Sequence, residues 1–77
     1  MGTMSLYNTI EIKRSDDVLF ERFRKDGHEV SVGDKAVIVE MIYDLDNISY
    51  EIECSFPGSA SCKWLISISH DDLIKII

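Results

Sequence analysis

One proline, four glycines and two cysteines among 77 residues leave several protein classes out. Scarce proline and glycine, with an ordinary apolar share, argue against disorder. Two cysteines are too few for a disulfide scaffold. No apolar run approaches the roughly 20 residues that a membrane-crossing helix needs. The start of the chain shows no charged-then-apolar leader pattern, so a cytoplasmic location is the expectation. Met1-Gly2-Thr3 ahead of Met4 reads as the remnant of an expression tag, with one domain over residues 4–77. A chain this short buries roughly 60–65% of its unfolded surface, so its core is small.

Basic residues are also few, and unevenly so. Up to Val30 the five basic residues Lys13, Arg14, Arg22, Arg24 and Lys25 meet six acids. From Ser31 onward Lys35, Lys63 and Lys75 stand against eight carboxylates, giving a net charge of −6 overall. An acidic half disfavours nucleic acid and anionic membrane and steers basic proteins towards it. Solubility alone is the competing explanation.

What the chain does have is strand pattern. Lys35–Tyr43, Ile48–Cys54 and Cys62–Ile68 each read as a strand, separated by the turn Asp44-Leu45-Asp46-Asn47 and the loop Phe56–Ser61. Centring the first hairpin on its turn sets Val37 against Cys54, Val39 against Ile52, Met41 against Tyr50 and Tyr43 against Ile48. Centring the second on Pro57-Gly58 sets Cys54 against Cys62, Ile52 against Trp64, Tyr50 against Ile66 and Ile48 against Ile68. All these pairs are apolar and share one face, and a slip of one residue would turn them all to solvent. Trp64 is expected in the core. Cys54 and Cys62 lie within reach of a bridge in this register, but two small apolar thiols suit a reducing compartment better.

Ahead of the hairpins, Leu6–Ile12 reads as a first strand, with β-branched Thr9, Ile10 and Ile12 in support. Ser15–Gly27 reads as a short helix in preference to an irregular loop. Ser15 is placed to cap it, Asp16 and Asp17 suit its first turn, Leu19 and Phe23 make an apolar stripe, and Gly27 stops it. His28–Val32 is a connector or short edge strand. After the hairpins, Ser69–Leu73 has the character of a one-turn helix, and Ile74–Ile77 of a last short strand. About five antiparallel strands with one short helix in the first connection predict a small curled barrel, because closure removes strand edges. A closed barrel would also explain why Ala36, Ile38 and Ile42 are apolar on the opposite face.

That opposite face holds the candidate site. Glu40 falls opposite Glu51, Glu53 lies two residues further on opposite Ile38, and Asp44 and Asp46 extend the charge into the turn. Like charges across a ladder are destabilising, so they ask for a compensating role. With Ile38, Ile42 and Leu65 interspersed, the patch has both anchors and charge for a basic protein partner. The competing reading is a solvated face whose apolar residues lie under Ser15–Gly27, with Lys63 opposite Glu53 as an ordinary cross-strand pair. Tyr7 and Tyr43 could join an interface, although alternation places Tyr43 inward.

Cys54, Cys62 and His70 include the residue types of a thiol nucleophile and its base, but an apolar, acidic setting disfavours the thiolate. A metal site from Cys54, Cys62, His70 and Asp71 lacks any short paired spacing. Arg22, Arg24 and Lys25, interleaved with Glu21 and Asp26, are too dilute for phosphate-driven nucleic-acid binding. No catalytic residue, metal or cofactor is assigned.

Val32-Gly33-Asp34-Lys35-Ala36-Val37-Ile38-Val39 is similar to the opening strand of SH3-like barrels, where a Gly-Asp turn precedes a β-branched run. Together with Leu6-Tyr7-Asn8-Thr9-Ile10, Tyr50-Glu51-Ile52-Glu53 and Asp71-Asp72-Leu73-Ile74, it resembles a family of small acidic bacterial SH3-like proteins of unknown function. Some of those are toxin or antitoxin partners and contact-dependent inhibition immunity proteins. The chain departs from that pattern in a longer Ser15–His28 and in Ala36-Val37 after the Gly-Asp turn. The resemblance implies an SH3-like barrel and no catalytic residues. The expected function is a non-enzymatic immunity or antitoxin protein, monomeric or weakly dimeric, that covers the basic cleft of a toxin such as a nuclease. An accessory module of a larger complex is the alternative, and an acidic imitation of DNA a third.

Overall fold

The computed structural model describes residues 4–77, so the reading of Met1–Thr3 as a tag remnant lies outside it. The chain is mostly β. Strands β1 (Thr9–Glu11), β2 (Lys35–Asp44), β3 (Asn47–Ser55) and β4 (Cys62–Ser69) form an open antiparallel sheet in the order β1-β2-β3-β4. Helix α1 (Asp17–Lys25) fills the first connection, and a single turn, α2 (His70–Leu73), follows β4.

Helix α1 forms where its stripe predicts, with Leu19 and Phe23 buried. Its cap is Asp16 instead of Ser15: the Asp16 carboxylate accepts from the Leu19 amide at 3.0 Å. A carboxylate at this position satisfies an orphan amide and meets the positive end of the helix at once. At the other end Gly27 takes φ +88, and the His28 amide returns to the Phe23 carbonyl at 2.8 Å.

Two expected strand segments are shorter or absent. Leu6–Ile12 narrows to β1 because Tyr7 adopts φ +66 and the Ser5–Asn8 turn bends the chain. Ile74–Ile77 is not a strand among the described residues. The amides of Ile74, Lys75 and Ile76 bond back to His70, Asp72 and Leu73, which keeps the backbone coiled. The tail nevertheless reaches the first strand's end. Lys13 and Arg14 donate their amides to the Ile76 carbonyl at 2.8 and 3.1 Å, and Ile76 is buried.

The central event in the sheet is a bulge at Val39. On the turn side of it, Met41 faces Tyr50 and Tyr43 faces Ile48, as the tight turn dictates. On the other side the extra residue shifts the register, so Ala36 faces Cys54 and Ile38 faces Ile52. Val37 and Val39, expected inward, give way to Ala36 and Ile38 in the core. The second hairpin carries another irregularity beside Cys54. Cys54 faces Trp64, Ile52 faces Ile66 and Tyr50 faces Ile68, two residues away from the symmetric register, while Ser55 faces Cys62. A two-residue shift leaves every side chain on its face, so Trp64, Ile66 and Ile68 are buried as alternation requires. The core is Ile10, Ile12, Ile38, Tyr50, Ile52, Trp64 and their neighbours, closed by Leu19, Phe23, Leu73 and Ile76.

A polar cluster lies beside the second irregularity. Asp34 accepts from the Trp64 indole Nε1–H and from Lys63 Nζ, both at 2.8 Å, and from the Ser31 amide at 2.9 Å. Lys63 therefore pairs with Asp34 and not with Glu53. Burial pushes the Asp34 carboxyl up, but these three hydrogen bonds and the Lys63 charge together hold it below its ordinary value.

Candidate functional site

Alternation along β3 turns Tyr50, Ile52 and Cys54 into the core and leaves Ser49, Glu51 and Glu53 on the outer face. Glu40 lies directly across from Glu51, as the turn-centred register predicts. Hydrogen bonding to Glu40 and the Glu40 charge, with some desolvation, push the Glu51 carboxyl above its ordinary value. Two acids are thus crowded on a surface where water alone would keep them apart. Glu53 lies one step along, between Val37 of β2 and Leu65 of β4, with no basic partner across either ladder. Asp44 and Asp46 are exposed at the hairpin turn, where Leu45 takes φ +54.

Among the apolar residues expected on this face, Ile42 and Leu65 are there, 42% and 43% exposed. Ile38 is not. It is 0% exposed, because the Val39 bulge reverses the facing of the strand's first half, and it cannot touch a partner. Val37 and Val39, both half-buried, flank Glu53 and Glu40 in its stead.

The hairpin end adds two residues that alternation hides. Tyr43 lies on the core-side parity opposite Ile48, yet is 68% exposed, and Leu45 is 97% exposed. β1 pairs only with Lys35–Val37, and β4 reaches no further along β3 than Ser49, so the end of this hairpin is a two-stranded ribbon in which Ile48 still packs against the core and Tyr43 does not. The signal in the sequence was length: β2 outruns the other strands. Ile42, Tyr43 and Leu45 beside Asp44 and Asp46 form an apolar tip edged with acid.

Compared with protein-family models, curated sequences and solved structures, the chain matches none.

Cys54 is buried and Cys62 exposed, and both are free. Burial, then the Asp34 charge, pushes the Cys54 thiol up. Desolvation, then the Glu53 carboxylate, does the same at Cys62, and both directions disfavour a thiolate. The two thiols also do not face one another, since Cys54 pairs with Trp64 and Cys62 with Ser55. The His70 ring is engaged through Nδ1 with the Tyr50 hydroxyl at 2.8 Å. Among the described residues no three His, Cys, Asp or Glu side chains gather as a metal site. No described helix is long and apolar enough to cross a membrane.

Proposed function

We propose that this chain is a non-enzymatic inhibitor that binds a basic protein partner, acting in the cytoplasm as an immunity or antitoxin protein. The observation that carries the reading is the pairing of Glu40 with Glu51 on an uncovered sheet face, beside Glu53 and the acidic hairpin tip. Such crowding costs the free fold something, and a cationic surface laid across it removes the cost. Ile42, Tyr43, Leu45 and Leu65 supply apolar contact around the charge, the combination from which interface hot spots are built. Covering a toxin's basic cleft requires no chemistry, only a surface that imitates a polyanionic substrate. An SH3-like kinship is compatible with the small antiparallel sheet, next to whose first strand the Lys13 and Arg14 amides donate to the Ile76 carbonyl.

The test starts from the partner. Capture from the source cell identifies it, and association is then timed for the wild type and for the Glu51→Lys, Glu53→Lys double variant. Association slows at least tenfold in the variant and falls with salt in the wild type, while Tm is little changed. Association indifferent to both reversals and to salt removes the electrostatic mechanism. A captured multi-subunit metabolic assembly would assign the chain to an accessory role instead.

A further inference from the structure

The backbone of β4 leads to a second contact element. Ile38 donates to the Asn8 carbonyl at 3.0 Å and Ile12 to the Asp34 carbonyl at 2.8 Å, so Ile38 and its alternates in the first half of β2 bond towards β1. In an antiparallel ladder successive residues turn their N–H and C=O to opposite sides. Val37 therefore bonds towards its partner Glu53 of β3, and Ile52 and Cys54 bond towards β4, where Ile52 pairs with Ile66. Leu65 and Ser67 are left with N–H and C=O directed out of the sheet, and no described backbone group bonds to them there.

This edge carries no guard within the strand itself. β4 is eight residues long, holds no proline, and its one charged residue, Lys63, is held by Asp34. Natural edges of that length are ordinarily blunted by charge, proline or a covering element. The opposite edge is different: β1 has three residues, and the Ile76 carbonyl caps the strand just beyond it. Leu65–Ser67 line a cleft of about 300 Å³ together with Arg22, Phe23, Asp26 and His28 at the end of α1.

We propose that β4 is a docking edge, to which an extended basic segment of the partner adds as a fifth strand beside Leu65–Ser67. The choice of a basic segment rests on the acidic-face reading above; the choice of an extended one rests on the unpaired backbone. Charge also decides against a second copy of this chain. Pairing two β4 edges would bring together two molecules of net charge −6, each with Glu51 and Glu53 one strand from the seam. A lysine or arginine of an added strand, in contrast, reaches over the small Ser67 towards Glu51, about 10 Å away at two strand spacings. Main-chain hydrogen bonds give such docking its affinity and alternate side chains its specificity.

The probe is a capped eight-residue peptide of alternating lysine and valine, with two controls: the same peptide N-methylated throughout, and its glutamate–valine counterpart. Amide hydrogen exchange is followed by NMR on the full chain. The lysine–valine peptide slows exchange at Leu65 and Ser67 at least tenfold, and neither control does. In Ser67→Pro, which loses an outward N–H and no ladder bond, peptide affinity falls at least tenfold with Tm retained. If that variant does not fold, the N-methylated peptide decides alone. Peptide binding that shifts Glu40 and Glu51 but leaves Leu65 and Ser67 exchange unchanged overturns strand addition and leaves the acidic-face reading standing. Equal protection by the glutamate–valine peptide overturns the basic occupant and with it the electrostatic reading. Protection that grows with protein concentration alone makes a second copy the occupant and overturns the proposal.

Discussion

The two ends of the β2–β3 hairpin share one pattern of alternation and differ in everything beneath it. At the Lys35 end, Ala36, Ile38, Ile52 and Cys54 are buried, and Asp34 fastens Lys63 and Trp64 across the sheet. At the turn end, Tyr43 and Ile42 stand in solvent on either side of a two-stranded ribbon, with Leu45 at its tip. One end is packed and pinned, and the other is exposed and belongs to the proposed contact surface. Substitutions should therefore separate: those at buried residues of the base move stability, and those at the tip move binding.

The largest effect tests that division directly. Ile38→Ala empties a fully buried site and should cost about 2–5 kcal/mol, whereas Tyr43→Ala should stay within about 0.5 kcal/mol. Denaturant titration of both variants measures the gap, and equal losses would mean that the tip is packed after all. Next comes Asp34→Ala, which strips a buried indole N–H and a lysine of their acceptor and should cost about 1–3 kcal/mol.

Asp34 also gives the base a pH signature. Its folded value is depressed, so its contribution is complete above the unfolded value of about 4 and is lost as pH falls through the folded one. Wild-type stability should consequently drop more steeply below about pH 4 than that of Asp34→Asn, a difference visible in urea midpoints. Asp72, depressed through Lys75 and Arg22 despite its desolvation, adds to the slope in both proteins.

The smallest effect has the opposite sign. Glu51 is raised in the folded state, so the folded protein takes up a proton there more readily than the unfolded chain. Glu51→Gln should be slightly more stable than wild type at pH 7, and the advantage should fade as pH falls through the raised Glu51 value. Thermal melts across that range would show it; an advantage constant with pH would mean that repulsion from Glu40 is not its source.

Legibility follows the same division. The turn Asp44–Asn47 pins Met41 to Tyr50 and Glu40 to Glu51 because a two-residue loop leaves no freedom of register. That certainty decays with distance. Val37, Ile38 and Val39 are all β-branched and apolar, so alternation reads equally well with either phase, and the bulge that selects Ile38 for the core leaves no mark in composition. The six-residue loop Phe56–Ser61 is looser and allowed a two-residue error, harmless to the faces but not to the pairing of Cys54 and Cys62. Asp34 looked like turn punctuation, since nothing local announces partners about 30 positions away. The acidic half of the candidate site was readable from alternation and the turn. Its apolar half was only partly so, because alternation tells which way Tyr43 points and not whether any core lies below it.

Trp64 is the chain's sole tryptophan, and its indole sits at the base, bonded to Asp34. The molecule thus carries a native fluorophore that watches folding from the end remote from the hairpin tip. Unfolding at the base changes its emission, while docking confined to the hairpin tip leaves it dark to the event, so one cuvette tells a variant that cannot fold from one that folds and has lost only the tip contact.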